Sequence, residues 1–224
     1  MRTFRISILC LGALLLAASL VLAQDLSKYR GFSLGASLPD ILKLSDQKLA
    51  DVKTIHVQPM LIQELTWWPF SSSGASSQPD GVQQILFSFS NGELYKMAVT
   101  YERISTEGLT PKDMVRSISS KYGPATNIES EADIAVDKTY DQKQGPVASW
   151  QNAQSSVDLV RSQYGDSFGL VIYAKAANAA AVLASAEAVK LEEQQRPGKE
   201  ADEKKKEADA LEVTRQKNQK SFRP

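Results

Sequence analysis

Two sets of landmarks recur at nearly the same spacing along this chain, and this recurrence constrains the fold more than any other feature. The helix-start patterns that begin at Ser37 and Thr110 lie 73 residues apart, and the turn residues Asn91 and Gly165 lie 74 residues apart. A repeat of this length holds one supersecondary unit, so the spacing predicts two tandem units. Chance similarity is the alternative, because few side chains match between the halves.

Each landmark helix begins with a hydroxyl residue three positions before an aspartate, Ser37 before Asp40 and Thr110 before Asp113. The hydroxyl can accept from a free N–H of the first turn, and the acid lies at the positive end of the helix. Gly123 ends the second helix. Apolar residues at helical spacing follow each start: Leu38, Ile41, Leu42, Leu49 and Val52 in the first helix, and Met114, Val115, Ile118 and Tyr122 in the second.

Alternating apolar residues after each helix predict antiparallel strands. Residues 85–101 form one hairpin around Asn91-Gly92, and residues 157–172 form another around Tyr164-Gly165-Asp166. Residues 54–68 and 147–151 supply first strands. The sequence therefore predicts an α+β fold in which two tandem units, each a helix followed by about three antiparallel strands, form one sheet with the helices on one face.

The first 23 residues are typical of a secretory signal sequence. Arg2 and Arg5 give a positive start, residues 6–22 are mostly apolar, and small residues precede the bond between Ala23 and Gln24, where we expect cleavage. An uncleaved anchor is the alternative, because this apolar run is at the short limit for spanning a bilayer. Cys10 is the only cysteine. It lies inside the apolar run, so the mature chain is expected to have no thiol and no stable membrane anchor.

Composition divides the rest of the chain. Loss of Arg2 and Arg5 leaves 24 basic residues against 26 acidic ones, a formal charge of −2, which argues against a nucleic-acid partner. We predict an exported domain at 25–178, with repeats at 31–103 and 104–176, and a charged tail at 179–224. The tail begins as a helix and breaks at Pro197-Gly198. Residues 199–212 are predicted to be either a solvated helix or disordered. The basic end at 213–224 is expected to be disordered, with contact to anionic lipid or cell-wall polymer as the alternative. The helical part carries one weak apolar stripe: Val182, Leu183, Val189 and Leu191.

No catalytic residue, metal site or cofactor is predicted. His56 is the only histidine, and its alternation with apolar Ile55 and Val57 predicts a solvent-facing strand position. Neither a nucleophile elbow nor a phosphate-binding glycine loop occurs. A run of acids at four-residue spacing lacks the EF-hand pattern, so a solvated connector is expected rather than a calcium site. These acids are Glu129, Asp133, Asp137 and Asp141, with Glu131 between the first two.

An aromatic cluster, Trp67, Trp68 and Phe70, is the candidate binding site. Adjacent residues of a strand point to opposite faces, so at least one tryptophan is expected to lie off the core. The serine-rich segment at 71–81 follows directly and is a loop by composition. Aromatic residues are enriched among binding hot spots. The alternative is that both rings cover the edge of the core.

Three short segments resemble the β-lactamase-inhibitor-protein-like domains and the small outer-membrane lipoproteins of the barrel-assembly machinery. Residues 35–41 are similar to their helix start, residues 87–94 to their hairpin and residues 121–124 to their helix exit. The resemblance covers roughly residues 31–174. It implies an exported, non-catalytic protein that binds another protein through its sheet. The lipoprotein type carries a cysteine just after its signal, which this chain lacks.

The sequence thus predicts an exported, non-catalytic envelope protein, periplasmic or extracellular, that binds a protein partner. A small-ligand-binding or hydrolytic envelope protein is the alternative, with His56 as the first residue to test for hydrolysis. Neither the identity of the partner nor the oligomeric state follows from the sequence.

Overall fold

A computed structural model of the chain describes residues 25–69, 81–128, 146–161, 167–221 and 223. The first half holds β1 (Lys28–Tyr29), β2 (Phe32–Ser33), α1 (Leu38–Ser45), a 3-10 turn (Leu49–Asp51), β3 (Lys53–His56), β4 (Ile62–Trp67), β5 (Val82–Ser90) and β6 (Glu93–Tyr101). The second half holds α2 (Arg103–Thr106), α3 (Pro111–Tyr122), β7 (Asn127–Ile128), β8 (Ala148–Gln151), β9 (Ser155–Arg161) and β10 (Phe168–Ala174). The long helix α4 (Lys175–Ser221) ends the fold.

One antiparallel sheet contains eight strands in the order β3-β4-β5-β6-β10-β9-β8-β7. The last strands of the two halves pair at its centre, where Val99 of β6 lies opposite Leu170 of β10. Each half is a helix followed by four strands, which confirms the predicted tandem α+β fold. The predicted number of strands per unit was too low, because residues 54–68 form two strands in the first unit and the short β7 adds one to the second. Pro59 has no N–H to donate to a ladder and lies in the turn between them.

Side-chain caps begin both landmark helices as predicted. Ser37 Oγ accepts from the Asp40 N–H at 3.3 Å, and Thr110 Oγ1 accepts from the Asp113 N–H at 3.2 Å. Helix α3 ends at Gly123, which has a φ of 78°. The stripe predicted for the first helix was wrong beyond residue 45. Helix α1 stops because Asp46 adopts a left-handed conformation with a φ of 53°, and Leu49 is 67% exposed.

The main core lies between one face of the sheet, here called the core face, and α1, α3 and the β1–β2 pair. Ile41 of α1 and Ile118 of α3 pack against buried strand residues such as Phe87 and Leu159. Trp150 joins a strand to the end of a helix, because its Nε1 donates to the carbonyl of Gly123 at 2.8 Å. The two predicted helices therefore lie on one face of the sheet.

Helix α4 corrects three predictions about the tail. It is continuous through Pro197 and extends to Ser221, so the predicted break was wrong. Residues 199–212 form the helix that was one of the two alternatives, and the disorder predicted for the basic end was wrong as far as Ser221. Proline removes one helical hydrogen bond, but the residues around it are exposed and water can solvate the freed carbonyl. The predicted domain boundary at 178 also falls inside α4, whose early turns pack on the sheet through Ala177 and Ala181.

Candidate functional site

A row of residues crosses six strands on the sheet face opposite the core face, here called the open face. Side chains alternate between faces along a strand, so this row lies opposite the core residues Phe87 and Leu170. Five of its members are half-buried and Ser149 is buried. The row, here called the transverse row, follows the strand register: Thr66, Leu86, Ala98, Val171, Asp158 and Ser149.

Helix α4 packs on the open face at one end of the sheet. Ala177 and Ala181 pack with Ile62 at the start of β4 and with Tyr95 in β6. The stripe predicted for this helix was wrong, because small residues face the fold: Ala181, Ala184 and Ala188 are buried, whereas Leu183 is 73% exposed. A helix that approaches a sheet this closely has room for alanine but not for leucine.

The candidate aromatic residues separate in the structure. Trp67 packs on the core face, with its ring 5.3 Å from that of Phe32 in an edge-to-face arrangement. Trp68 follows the end of β4 and is 47% exposed. Phe70 lies outside the described residues, as does nearly all of the serine-rich segment. One of the two tryptophans is thus off the core, as predicted from strand alternation.

His56 lies at the end of β3 on the same face as α4, opposite Ile62. Its side chain is 13% exposed, and Nδ1 lies 3.4 Å from Glu192 Oε1. The predicted solvent-facing position was therefore wrong: the neighbouring Ile55 and Val57 are the exposed residues. Within the described ranges no hydroxyl hydrogen-bonds to the ring, and His56 acts as a contact between the sheet edge and α4.

A cleft of about 480 Å³, here called the tyrosine cleft, opens between α3, β1 and the end of β6. Lys121 Nζ lies 4.8 Å from the ring centre of Tyr29 and 4.9 Å from that of Tyr122. The hydroxyls of Tyr29 and Tyr101 are 3.4 Å apart, and Tyr122 donates to the carbonyl of Lys28 at 2.8 Å. These bonds attach the β1 segment to the helix and the sheet.

Burial and charge shift the titration of this cleft. Burial raises the pKa of Tyr101 and of Tyr122, and the neighbouring Tyr29 adds to both shifts. Burial also lowers the pKa of Lys121, with a further contribution from the positive charge of Arg30. Tyr101 and Tyr122 therefore stay neutral over the physiological range, whereas the environment of the Lys121 ammonium disfavours its charge.

Gly81 borders the tyrosine cleft and permits a close approach between two segments. Its φ is 57°, and a Cβ at this position would overlap the side chain of Ser105. The cleft was not predicted from the sequence, although both of its cations adjoin a tyrosine, in Tyr29-Arg30 and Lys121-Tyr122. Those pairs are local signals, but nothing in the sequence shows that they meet.

Several predictions concern residues that the structure does not describe. These are the signal sequence with its cleavage position at Ala23 and Gln24, the acids from Glu129 to Asp141, and the turn around Gly165. The described residues contain no group of three or more His, Cys, Asp or Glu side chains arranged to hold a metal. Among the helices described, none combines the length and the apolar character needed to cross a membrane.

Comparisons of the chain with protein-family models, with curated proteins and with solved structures found no match. The resemblance to the inhibitor-protein-like domains and the barrel-assembly lipoproteins therefore stays a prediction.

Proposed function

We propose that this chain is an exported, non-catalytic envelope protein that binds a protein partner through the open face of its sheet. The observation that carries the proposal is the transverse row. Helix α4 packs at one end of the open face, and the row's apolar centre, Leu86, Ala98 and Val171, stays half-buried. Such a surface excludes water readily when a partner covers it.

The transverse row lies on a rigid part of the fold, which favours the binding of a partner. Four of its six members lie on the central strands β5, β6, β10 and β9, each of which pairs with a strand on both sides and is backed by the main core. A preformed surface loses little conformational entropy on binding. The small side chain of Ala98 at the centre of the row lets a partner side chain approach the sheet closely.

The aromatic cluster supplies the proposed edge of the interface. Trp68 is exposed one residue beyond β4, and Thr66 of the transverse row lies two residues before it. A large aromatic ring at the margin of a small-residue surface is a typical anchor in protein interfaces. Trp67 supports this edge from the core side.

Site-specific photo-crosslinking in the producing cell tests this proposal. A photoreactive residue at Ala98 is expected to give a discrete protein adduct, whereas the same residue at Lys43, exposed on α1 across the sheet, is the matched control. Val171→Arg should weaken capture of the adducted partner by about tenfold or more, because it places a charge in the centre of the interface. Adducts at Lys43 and none at Ala98, or none at either position, would contradict the proposal.

A further inference from the structure

The tyrosine cleft combines charged, polar and apolar walls. Two cations, Arg30 and Lys121, line one part of it, and the described lining residues include no aspartate or glutamate. Tyr101, Ser105 and Ser117 contribute hydroxyls. Apolar side chains complete the lining: Leu109, Met114, Ile118 and Leu170. The volume of about 480 Å³ falls within the range of small-molecule sites.

The environment of Lys121 favours the binding of a negatively charged group. Within the described ranges no carboxylate lies within 4.0 Å of its ammonium. The faces of two tyrosine rings surround it instead. Ring faces attract a cation, but they satisfy none of its three N–H donors. An anion would accept hydrogen bonds from this group.

We propose that the tyrosine cleft binds a small organic carboxylate with an apolar body, whose carboxylate contacts Lys121 and whose body lies against Met114, Ile118 and Leu170. The apolar wall favours this ligand over an inorganic anion, because inorganic phosphate has no apolar part to bury against that surface. The cleft opens on the helical side of the sheet, so it is separate from the protein-binding surface proposed for the open face.

A purely structural role for Lys121 makes a different prediction. If its ammonium only clamps the rings of Tyr29 and Tyr122 together, Lys121→Gln should lower stability and the cleft should bind no carboxylate. If the cleft is a ligand site, the same variant should lose carboxylate binding selectively. Binding, rather than stability, therefore separates the two roles.

Isothermal titration calorimetry of the chain from residue 24 to residue 224 tests the proposal, with hexanoate as the probe. Hexanoate should bind with one site per chain, and the neutral hexanamide should bind about tenfold or more weaker, since it lacks the charge that strengthens a hydrogen bond to an ammonium. Inorganic phosphate at the same concentration should not displace hexanoate. Lys121→Gln should weaken hexanoate binding by about tenfold or more, whereas Lys43→Gln, which removes an exposed charge from α1, should leave it unchanged.

A second variant keeps the test decisive if Lys121→Gln folds poorly. Ser117→Trp adds a large side chain at an exposed α3 position that lines the cleft, and it should abolish hexanoate binding while circular dichroism stays unchanged. Three results would overturn the proposal. The first is no heat of binding up to about 10 mM hexanoate, a concentration at which a dissociation constant of about 1 mM would still register. The others are equal binding of hexanamide and full binding by a folded Ser117→Trp variant.

Discussion

The three tryptophans of the chain occupy three different environments. Trp150 is 1% exposed and bonded to the end of α3, Trp67 packs edge-on against Phe32, and Trp68 is about half exposed. Burial and ring contacts, rather than residue type, set what each contributes to stability. At this scale the aromatic cluster divides into a structural member and an accessible one.

Separate alanine substitutions should distinguish Trp67 from Trp68. Trp67→Ala removes a ring that packs on the core and is expected to lower the free energy of unfolding by about 2–3 kcal/mol. Trp68→Ala removes a ring that is about half exposed and lies off the core, and it should cost less than about 1 kcal/mol. Urea denaturation measures both. Equal large losses would show that both rings belong to the core edge and would remove Trp68 from the proposed interface.

Helices α1 and α3 begin with the same residue pattern but are held differently. In α3 the capping is reciprocal, because the Thr110 N–H also donates to Asp113 Oδ2 at 3.0 Å. The start of α1 is tied to the β5–β6 hairpin, where the Leu38 N–H donates to the carbonyl of Gly92 at 2.8 Å and the Leu94 N–H to that of Ala36 at 2.9 Å. The start of α1 thus has tertiary hydrogen bonds in addition to its cap, whereas the start of α3 depends on its local cap.

Removal of the two capping hydroxyls should therefore have unequal effects. Thr110→Ala is expected to lower the free energy of unfolding by about 1 kcal/mol, the usual cost of losing a cap. Ser37→Ala should cost less, since the hairpin still holds the start of α1. Chemical denaturation of the matched pair at neutral pH gives the comparison. A larger loss for Ser37→Ala would show that the tertiary bonds do not substitute for the cap.

At the scale of the whole molecule, the described residues form a folded sheet domain and a helix that extends far beyond it. Helix α4 contains 47 residues, a length of roughly 70 Å at the rise of an α-helix. Its buried alanines end at Ala188, and its last described contact with the sheet is that of Glu192 with His56. The described side chains from Glu193 to Ser221 are exposed. The domain therefore depends on the first part of α4 and not on the rest.

Truncations on either side of this point should behave differently. A chain that stops after Glu192 is expected to keep its denaturation midpoint, while circular dichroism shows the loss of roughly 30 helical residues. A chain that stops after Ala174 should be destabilised by about 2 kcal/mol or more, because Ile62 and Tyr95 lose the alanine face that covers them. If the chain that stops after Glu192 had a lower denaturation midpoint than the full-length chain, the exposed half of α4 would have to contact the domain.

Local patterns in the sequence determined the elements whose causes are local. The Asn91-Gly92 turn has φ values of 50° and 82°, which these two residue types tolerate best, so the hairpin could be predicted from a dipeptide. The cap of α3 and its end at Gly123 are equally local. The 73-residue spacing predicted the tandem arrangement, because each unit has a helix followed by antiparallel strands.

Tertiary structure decided which surfaces are covered and which residues meet. The sequence of α4 favours Val182 and Leu183 as the buried stripe, yet the close approach to the sheet selects Ala181, Ala184 and Ala188. The tyrosine cleft joins Tyr29, Tyr101 and Lys121 from three distant parts of the chain. Hydrophobic periodicity ranks residues by how much apolar surface they could bury. Which side chains are buried and which line a cleft depends on the distances between elements, and folding alone sets those distances.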